Sequence, residues 1–444
     1  MERRTLMLWQ AVSIIGIIAA LVLLSYLVMR GVNLLVVAVA CSLLVAITGH
    51  IDLYDALAIN YMSGFASFVQ NNFLIFLAGA LMGTVYEITQ GAKSIARLII
   101  RTLGKKQATL AVILSVGILT YGGIAGFVVC FAVFPIALEV YRAADIPRRF
   151  IPGTIIFGCC TFSSIGPGNP QVGQVVLMKA LGTTLMDGAV IGFIATGLVL
   201  VIGTVWLNSM IGSAQKNGEH FVAKDIDKFE DNVEVPEAWR ALLPLVLTLI
   251  AINIPVGDGS LIEVEYGVFL GAVLAYLLMR KYRTEHRPIM QYAGDAVKNA
   301  ITSVCNTSSV VAFGSVVKAA IGFDAIISAM TNIPGPPLLA VAIATTVLAG
   351  VCGSGSGGLG IAAPILLELY GGVVPLPALH RTMLVASSGL DTLPHNGFVV
   401  TVLNGVSHET HKDGYMPIFA LTVVTPIIAT VVTIVLFTLF PNLP

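Results

Sequence analysis

Apolar stretches long enough to cross a lipid bilayer recur along almost the whole chain, and they limit its fold more than any other feature. A transmembrane helix needs about 20 mainly apolar residues. Two apolar stretches, 107–141 and 337–371, have Gly-rich centres and form either one long span each or a helix–turn–helix. The chain is therefore predicted to be an all-α polytopic membrane protein. The other candidate spans fall near residues 7–29, 32–49, 72–92, 150–180, 187–207, 241–256, 262–280, 299–325, 376–403 and 416–440.

The composition supports this prediction. Hydrophobic residues make up 57% of the chain and charged residues 11%, whereas about 25% of residues are charged in an ordinary soluble domain. The 24 Lys+Arg balance 24 Asp+Glu, so the basic surface of a nucleic-acid-binding protein is not expected. The six cysteines lack the spacing of a zinc site or a disulfide framework. We expect no metal, no cofactor and no nucleic-acid partner, and a first span that is retained rather than cleaved.

The two halves of the chain match each other at several positions. Residues 135–141 (PIALEVY) and 364–370 (PILLELY) share Pro, Glu and Tyr, and each follows a Gly-rich segment. Further on, residues 163–170 and 387–394 both begin with Ser-Ser and end with Pro. Ordered matches of this kind indicate an internal repeat.

The distribution of positive charge indicates that the repeat is inverted. The segment 93–106, which is expected to be a short loop, contains five Lys/Arg, whereas the matching segment 324–337 contains none. Because Lys and Arg concentrate in cytoplasmic loops, the two segments are expected on opposite sides of the membrane. Further arginines follow stretch 107–141, which is then a re-entrant hairpin from inside with its tip near 120–126. By symmetry, 337–371 is a hairpin from outside with its tip near 352–358.

These observations predict two inverted repeats with about ten spans, two re-entrant hairpins and both termini outside. The first repeat covers residues 1–211, with hairpin 107–141 and a broken helix at 150–180. A cytoplasmic linker, 212–240, contains eleven charged residues. The second repeat covers 241–444, with hairpin 337–371 and a broken helix at 376–403. Inverted repeats with broken helices are typical of secondary transporters of the cytoplasmic (inner) membrane.

The first candidate site is the break in segment 150–180, where two prolines and two glycines fall within five residues. Such a sequence cannot remain helical at reasonable cost. The break is expected to expose backbone N–H groups at the start of the next half-helix, which favours an anion. The alternative is a kink or a loop between two short spans. The substrate-binding candidates are Ser163, Ser164, Gly166, Gly168 and Asn169.

The second candidate site is the matching break in segment 376–403. Its binding candidates are Ser387, Ser388, His395 and Asn396, and Asp391 or His395 is the candidate for a coupling proton. Ionisable residues at membrane depth are functional candidates by default. The alternative is that Asp391 caps a half-helix and that His395 only hydrogen-bonds a neighbour.

The third candidate site is the tip of hairpin 337–371, with Ser354, Gly355 and Ser356. Glycine permits close approach of the backbone to a ligand, and serine supplies hydroxyls; the alternative is a flexible loop. The serines here do not match the nucleophile motif G-x-S-x-G, and the chain has no Walker-type phosphate loop. The protein is therefore not expected to be an enzyme or an ATP-driven pump.

Three segments resemble the gluconate permease (GntP) family of the ion transporter superfamily: residues 104–112 (GKKQATLAV), 164–168 (SIGPG) and 182–185 (GTTL). The similarity extends over about residues 30–440. The resemblance implies a homodimer, a scaffold part, and a transport part that moves like an elevator. It also implies uptake of a small hydroxycarboxylate together with a proton.

The sequence departs from the gluconate branch of that family at both breaks and at the first hairpin tip, where Gly122-Gly123-Ile124 replaces a Glu-containing sequence. The run 393–397 (LPHNG) is more similar to the branch that carries short hydroxy acids such as 3-hydroxybutyrate. We therefore expect proton-coupled symport of a small organic anion. The alternatives are Na⁺-coupled carboxylate symport by the same fold, and an intramembrane hydrolase or a channel.

Overall fold

The computed structural model describes residues 2–30, 32–104, 107–227, 234–256, 259–283, 287–323, 325–326, 333–394 and 396–443. Regular structure in these residues is helical apart from one antiparallel ribbon, in which β1 (Pro255–Val256) pairs with β2 (Gly259–Ser260). The all-helical fold class is thus confirmed.

The first half consists of ten helices among the described residues. A π-helical turn, Asp55–Tyr61, leads directly into the third of them, and a 3₁₀ turn, Arg148–Phe150, precedes the seventh. The helices are α1 (Glu2–Met29), α2 (Leu34–Thr48), α3 (Met62–Ile88), α4 (Gly91–Leu103), α5 (Ala108–Tyr121), α6 (Gly126–Ala143), α7 (Ile151–Cys160), α8 (Phe162–Ile165), α9 (Val172–Leu181) and α10 (Ala189–Lys216).

The second half continues the same pattern in the part of the chain that is described. π-Helical turns follow its seventh and eighth helices, at Thr401–Val406 and Ala420–Val424. The helices are α11 (Ala238–Asn253), α12 (Val264–Met279), α13 (Ile289–Ala319), α14 (Pro337–Cys352), α15 (Gly355–Tyr370), α16 (Leu376–Ser387), α17 (Gly397–Val400), α18 (His411–Phe419) and α19 (Thr425–Leu439).

Five helical segments of the described chain are long and apolar enough to cross a membrane. Shorter apolar helices accompany them, including α2, α5, α9 and α11. The protein is therefore an integral multi-pass membrane protein, while the count of about ten spans stays a prediction. The five segments are Met7–Leu27, Asp55–Ile88, Ala189–Lys216, Ile289–Ala319 and His411–Leu439.

Several helices extend beyond the apolar stretches that predicted them. The helix predicted at 72–92 begins at Met62, the one at 299–325 begins at Ile289, and the one at 187–207 runs to Lys216, inside the predicted linker. The added turns are polar or amphipathic. Hydropathy identifies only the part of a helix that is surrounded by apolar material. Helical turns beyond that part are therefore not predicted from hydropathy.

The basic segment 93–106 was expected to be a loop, and this was wrong for its described residues, most of which lie in α4. Ala92, Ile95 and Ala96 are buried, whereas Arg97 and Arg101 are four residues apart and share the opposite face. Residues spaced by three or four lie on the same side of a helix. The segment is thus an amphipathic helix with one buried face.

Both Gly-rich stretches are helix–turn–helix pairs rather than single long spans. The turn Gly122–Ala125 separates α5 from α6, and Gly353-Ser354 separates α14 from α15. Gly123 has φ +98° and Gly353 has φ +56°, conformations that glycine adopts without steric cost. That the pairs enter the membrane from opposite sides, as inverted repeats, stays a prediction.

The linker is docked onto the rest of the protein. Arg148 donates to Asp227 of the linker, with Nη2–Oδ1 at 2.6 Å, and its Nη1 also pairs with Glu409 in the second half. Lys224 pairs with Glu409 at 3.0 Å. These side chains join the start of the first broken helix, the linker and the loop after the second broken helix. The grouping agrees with a common location of all three segments on one side of the membrane.

Candidate functional site

Each hairpin tip contacts one helix break. The first break lies between α8 and α9, at residues 166–171. The Tyr121 hydroxyl at the tip of the first hairpin donates to the carbonyl oxygen of Pro167, and Gln171 Nε2 donates to the carbonyl oxygen of Thr120. The ring of Pro170 lies so close to Gly123 that a Cβ there would be 2.9 Å from it. The break and the tip therefore fix each other's backbone.

The second break, at residues 388–396 between α16 and α17, contacts the tip of the second hairpin. The backbone N–H of Gly355 donates to Oδ1 of Asp391 at 2.7 Å. Asn396 Nδ2 donates to the carbonyl oxygen of Gly353 at 2.9 Å and to Oδ1 of Asp391 at 3.2 Å. Asp391 thus joins two segments that lie 36 residues apart in the chain.

The two halves meet at the starts of α9 and α15. A Cβ added to Gly173 would lie 3.4 Å from Cδ1 of Leu359, so the first turn of α9 packs against α15. On another side, the ring of Phe398 in α17 and the thiol of Cys159 in α7 both approach Gly126, where an added Cβ would meet them at 3.5 and 3.2 Å. The tips and breaks are therefore parts of one region.

The N-terminus of α9 is uncapped. The backbone N–H groups of Val172, Gly173 and Gln174 have no acceptor among the described residues. The Gln171 side chain is turned to Thr120 instead of capping the helix. Because residues 171–173 are half-exposed, these donors can reach a ligand. Uncapped N–H groups together with the helix dipole favour an anion.

The other predicted residues of the first break hold its shape. Asn169 is buried; its Nδ2 donates to the carbonyl oxygens of Ser163 and Gly166, and its Oδ1 accepts from Gln171 N at 2.9 Å. Gly168 has φ +81° and donates to the carbonyl oxygen of Leu185 at 2.9 Å. Ser163 Oγ donates to the carbonyl oxygen of Gly158 at 2.6 Å. The four predicted residues Ser163, Gly166, Gly168 and Asn169 are all buried.

Ser164 differs from these neighbours because it is half-exposed. Its hydroxyl donates to the carbonyl oxygen of Cys160 at 2.8 Å, which leaves the lone pairs of Oγ facing outward as acceptors. It is thus the serine of the first break that a ligand reaches most directly.

The predicted residues of the second hairpin tip are half-exposed. Ser354 Oγ accepts the backbone N–H of Gly357 at 3.2 Å and lies 3.4 Å from Oγ of Ser356. The tip therefore presents two neighbouring hydroxyls beside Asp391.

In the second break, Ser387 and Ser388 are buried, and Ser387 Oγ donates to the carbonyl oxygen of Leu384 at 2.7 Å. Asn396 also caps α17 by accepting Val399 N at 2.9 Å. His395 lies outside the described residues. No group of His, Cys, Asp or Glu in the described ranges has the arrangement of a metal site.

A polar cluster in α16 was not predicted from the sequence. Arg381 and His380 are both fully buried. His380 lies between Thr183 Oγ1, 2.6 Å from its Nδ1, and Gln174 Oε1, 3.2 Å from its Nε2. A sequence signal existed, since Arg381 is an ionisable residue inside the apolar segment 376–403, and such a residue is a functional candidate.

This architecture, with helix breaks and hairpin tips converging inside an apolar bundle, is that of a membrane transporter. Related proteins agree. The uncharacterized transporter YxjC of Bacillus subtilis (strain 168) is 31% identical over 93% of this chain and 96% of its own length. The chain therefore belongs to the transporter family of YxjC, and it is not an enzyme. No family model matches the sequence.

More distant relatives extend this conclusion. The high-affinity gluconate transporter of Escherichia coli (strain K12) is 22% identical over 65% of both chains. An uncharacterized permease of Haemophilus influenzae (strain ATCC 51907 / DSM 11121 / KW20 / Rd) is 24% identical over 84% of this chain and 82% of its own. The chain is thus distantly similar to a gluconate transporter.

Two solved transporters share the fold. The YdaH transporter of Alcanivorax borkumensis superposes with a TM-score of 0.58 at 14% identity, over 88% of this chain and 90% of YdaH. The antimetabolite efflux pump MtrF of Neisseria gonorrhoeae gives a TM-score of 0.58 at 11% identity, over 93% of this chain and 95% of MtrF. At these identities the likeness concerns the fold alone.

Proposed function

We propose that the protein is a proton-coupled symporter of a small organic anion in the cytoplasmic membrane. The observation that carries the proposal is the uncapped, half-exposed N-terminus of α9. This N-terminus packs against α15, the helix that begins at the second hairpin tip and whose first residue, Gly355, donates to Asp391. The start of α9 supplies N–H donors for a carboxylate. The second hairpin tip supplies hydroxyls, and Asp391 supplies a titratable group. The substrate's carboxylate binds at residues 172–174, and its hydroxyl binds at Ser164, Ser354 and Ser356.

The proposed substrate class is the short hydroxycarboxylates, with 3-hydroxybutyrate as the representative. The E. coli relative transports gluconate, a hydroxycarboxylate of larger size. In this chain the first hairpin tip has no carboxylate, and it lies against Pro167 and Pro170. A tip that packs directly on the break favours a short substrate over a long polyol chain.

Asp391 is the proposed proton carrier. As a carboxylate it accepts hydrogen bonds from Gly355 N and Asn396 Nδ2. Protonation of Asp391 removes the negative charge that holds the hairpin tip. The substrate anion can then enter the same region without like-charge repulsion from this carboxyl group. His395 is the second candidate for this role. Binding of the substrate anion is thereby linked to binding of a proton.

The proposed movement is of the elevator kind, within a homodimer and between two inverted repeats. A separate hydrophobic cluster of α1, α2, α13 and the helical turn before α3 supports a distinct scaffold. The breaks and hairpins pack in other clusters. A scaffold with its own core can remain in place while the substrate-binding part moves.

Uptake of labelled 3-hydroxybutyrate into proteoliposomes tests the proposed function. An inward proton gradient without Na⁺ is imposed, with unlabelled gluconate and citrate as competitors. Accumulation above equilibrium that a protonophore abolishes supports proton symport. Uptake only in the presence of Na⁺ would establish the alternative coupling ion, and a current without saturable transport would establish a channel.

A further inference from the structure

Arg381 uses all its hydrogen-bond donors inside the protein. Its Nε donates to the carbonyl oxygen of Asp187 at 3.1 Å. Its Nη1 donates to the carbonyl oxygen of Ile165 at 3.1 Å and to Gln174 Oε1 at 3.4 Å. Its Nη2 donates to the carbonyl oxygens of Leu185 and Asp187 at 3.1 and 2.7 Å. A guanidinium has five N–H donors, so none is left for direct contact with a substrate.

The partners of Arg381 are all neutral oxygens. Among the described residues, none of its hydrogen bonds goes to a carboxylate and no ion pair includes it. Three titratable groups lie near it: His380, whose ring nitrogens bond to Thr183 and Gln174, Tyr121, and Asp187, whose half-exposed carboxylate accepts from Thr184 Oγ1 at 2.5 Å. Arginine stays charged in proteins. The fully buried side chain therefore carries a positive charge that no carboxylate contacts directly, since the Asp187 carboxylate is half-exposed and bonds to Thr184.

This charge lies directly behind the first break. Ile165 is the last residue before the break, and Gln174 belongs to the first turn of α9. On the other side, an added Cβ on Gly192 would lie 2.6 Å from the ring of Pro167 and 2.9 Å from Cδ of Arg381. The guanidinium thus reinforces the positive end of the α9 dipole, and in a low-dielectric interior its attraction for an anion is weakly screened.

We propose that Arg381 is the specificity-determining residue that makes the site select a singly charged carboxylate. This inference rests on the proposed function. With Asp391 protonated, the buried part of the region has one positive charge that no carboxylate contacts, that of Arg381, and one substrate carboxylate balances it. A second carboxylate, as in citrate or malate, would be left unpaired in the same low-dielectric region, which is unfavourable. Arg381 acts through its field and through the peptides it holds, without touching the substrate.

Four proteins distinguish the charge of Arg381 from its structural role in the proteoliposome assay. Arg381→Lys keeps the charge, and Arg381→Gln removes it. Gln174→Glu leaves Arg381 in place but puts a carboxylate against its guanidinium with almost no change of volume. Gln215→Glu is the matched control, because Gln215 is exposed at the end of α10 and its side chain donates only to the carbonyl oxygen of Asp145 among the described residues.

The KM for labelled 3-hydroxybutyrate is expected to rise at least about tenfold in Arg381→Gln and Gln174→Glu, because an unpaired buried charge is lost or neutralised. In Gln215→Glu it is expected to stay near the wild-type value. In Arg381→Lys, which keeps the charge but supplies three donors instead of five, it is expected to rise less than in Arg381→Gln. The uncharged methyl ester, used as a competitor, should inhibit wild type and the charge-altered variants equally. A structural defect alone would weaken the acid and the ester together.

The outcomes separate this inference from the proposed function. A folded Arg381→Gln or Gln174→Glu protein with the wild-type KM would overturn the role of Arg381 and leave the transporter intact. Malate or citrate transported by the wild type as efficiently as 3-hydroxybutyrate would also overturn it. Absence of any anion uptake by the folded wild type would overturn the proposed function itself.

Discussion

The backbone N–H of Gly355 and the carboxylate of Asp391 are joined by a hydrogen bond of 2.7 Å. Gly355 begins α15 at the hairpin tip, and Asp391 lies in the break between α16 and α17. The carboxylate occupies the positive end of α15, whereas the corresponding end of α9 is uncapped. One helix start is thus filled by a side chain of the protein, and the other is available to an anion from outside.

Replacement of Asp391 by Asn is expected to abolish proton-driven accumulation of 3-hydroxybutyrate and to spare exchange. The amide oxygen can still accept from Gly355, and the side chain imitates a permanently protonated carboxyl. Accumulation under a pH gradient and counterflow without a gradient are the two measurements.

Asp295→Asn is the matched control, since Asp295 is half-exposed and pairs with Lys298 on the surface. It should retain accumulation. Full proton-driven accumulation in Asp391→Asn would assign the proton to another group, of which His395 is the first to examine.

Gly358→Ala is expected to impair transport by forcing the arms of the second hairpin apart. A Cβ at this position would lie 2.5 Å from the Cα of Ala349 in the opposite arm, and overpacking of this kind costs about 1–3 kcal/mol. Gly372→Ala is the control, because nothing lies within 4 Å of an added Cβ there. Equal uptake by the two variants would contradict a requirement for close packing at the tip.

The docked linker is expected to lose stability in acid. Burial raises the pKa of Asp227, but hydrogen bonds from Arg148 and the backbone N–H of Lys224 outweigh it, so its pKa lies below the ordinary 3.8. A carboxylate with a depressed folded-state pKa stabilises above its unfolded pKa, and this stabilisation is lost as the pH falls through the folded value. The stabilisation from Asp227 should therefore be complete at neutral pH and disappear below pH 3.8.

Thermal unfolding of Asp227→Asn across pH measures this effect. At neutral pH the variant should be less stable by about 2 kcal/mol, the value of hydrogen bonds to a charged group, and the difference should vanish in strong acid. Glu219→Gln removes a half-exposed partner of Arg149 and should change stability by less than about 1 kcal/mol. A pH-independent difference for Asp227→Asn would show that its charge is not involved.

Transport of 3-hydroxybutyrate is expected to be insensitive to membrane potential. The empty site contains Arg381 and ionised Asp391, and the loaded site contains Arg381, protonated Asp391 and the anion, so both carry the same net charge. One net charge moved across 100 mV changes the driving free energy by about 2.3 kcal/mol, or roughly 50-fold in accumulation. A potassium diffusion potential at constant pH gradient should therefore leave uptake unchanged, whereas a strong response would contradict the charge balance.

The helix breaks and hairpin turns were predictable because their cause is local. Proline and glycine exclude a continuous helix at residues 166–170, whatever surrounds them. The ends of α3 and α13 were not predictable from hydropathy, since their outer turns are polar. The helical form of α4 was hidden by its basic residues, which lie on one face only.

The partners of individual side chains could not be predicted, because they come from distant parts of the chain. Asn169 was expected to bind substrate, but its contacts place it in the frame of the break. Arg381 contacts residues about 200 positions away, from Ile165 to Asp187, and only the folded chain brings these together. The sequence shows that Arg381 lies in an apolar segment, whereas the residues that it contacts are known only from the fold.

The clamp of Arg148, Asp227 and Glu409 has a consequence for how the chain can be produced. Glu409, from the second half, pairs with Arg148 in the first half and with Lys224 in the linker, and both residues precede Asp227 in the chain. The junction therefore does not depend on an unbroken polypeptide after Asp227. Two separately synthesised fragments, one ending shortly after this residue and one beginning before α11, would therefore retain every residue of this junction.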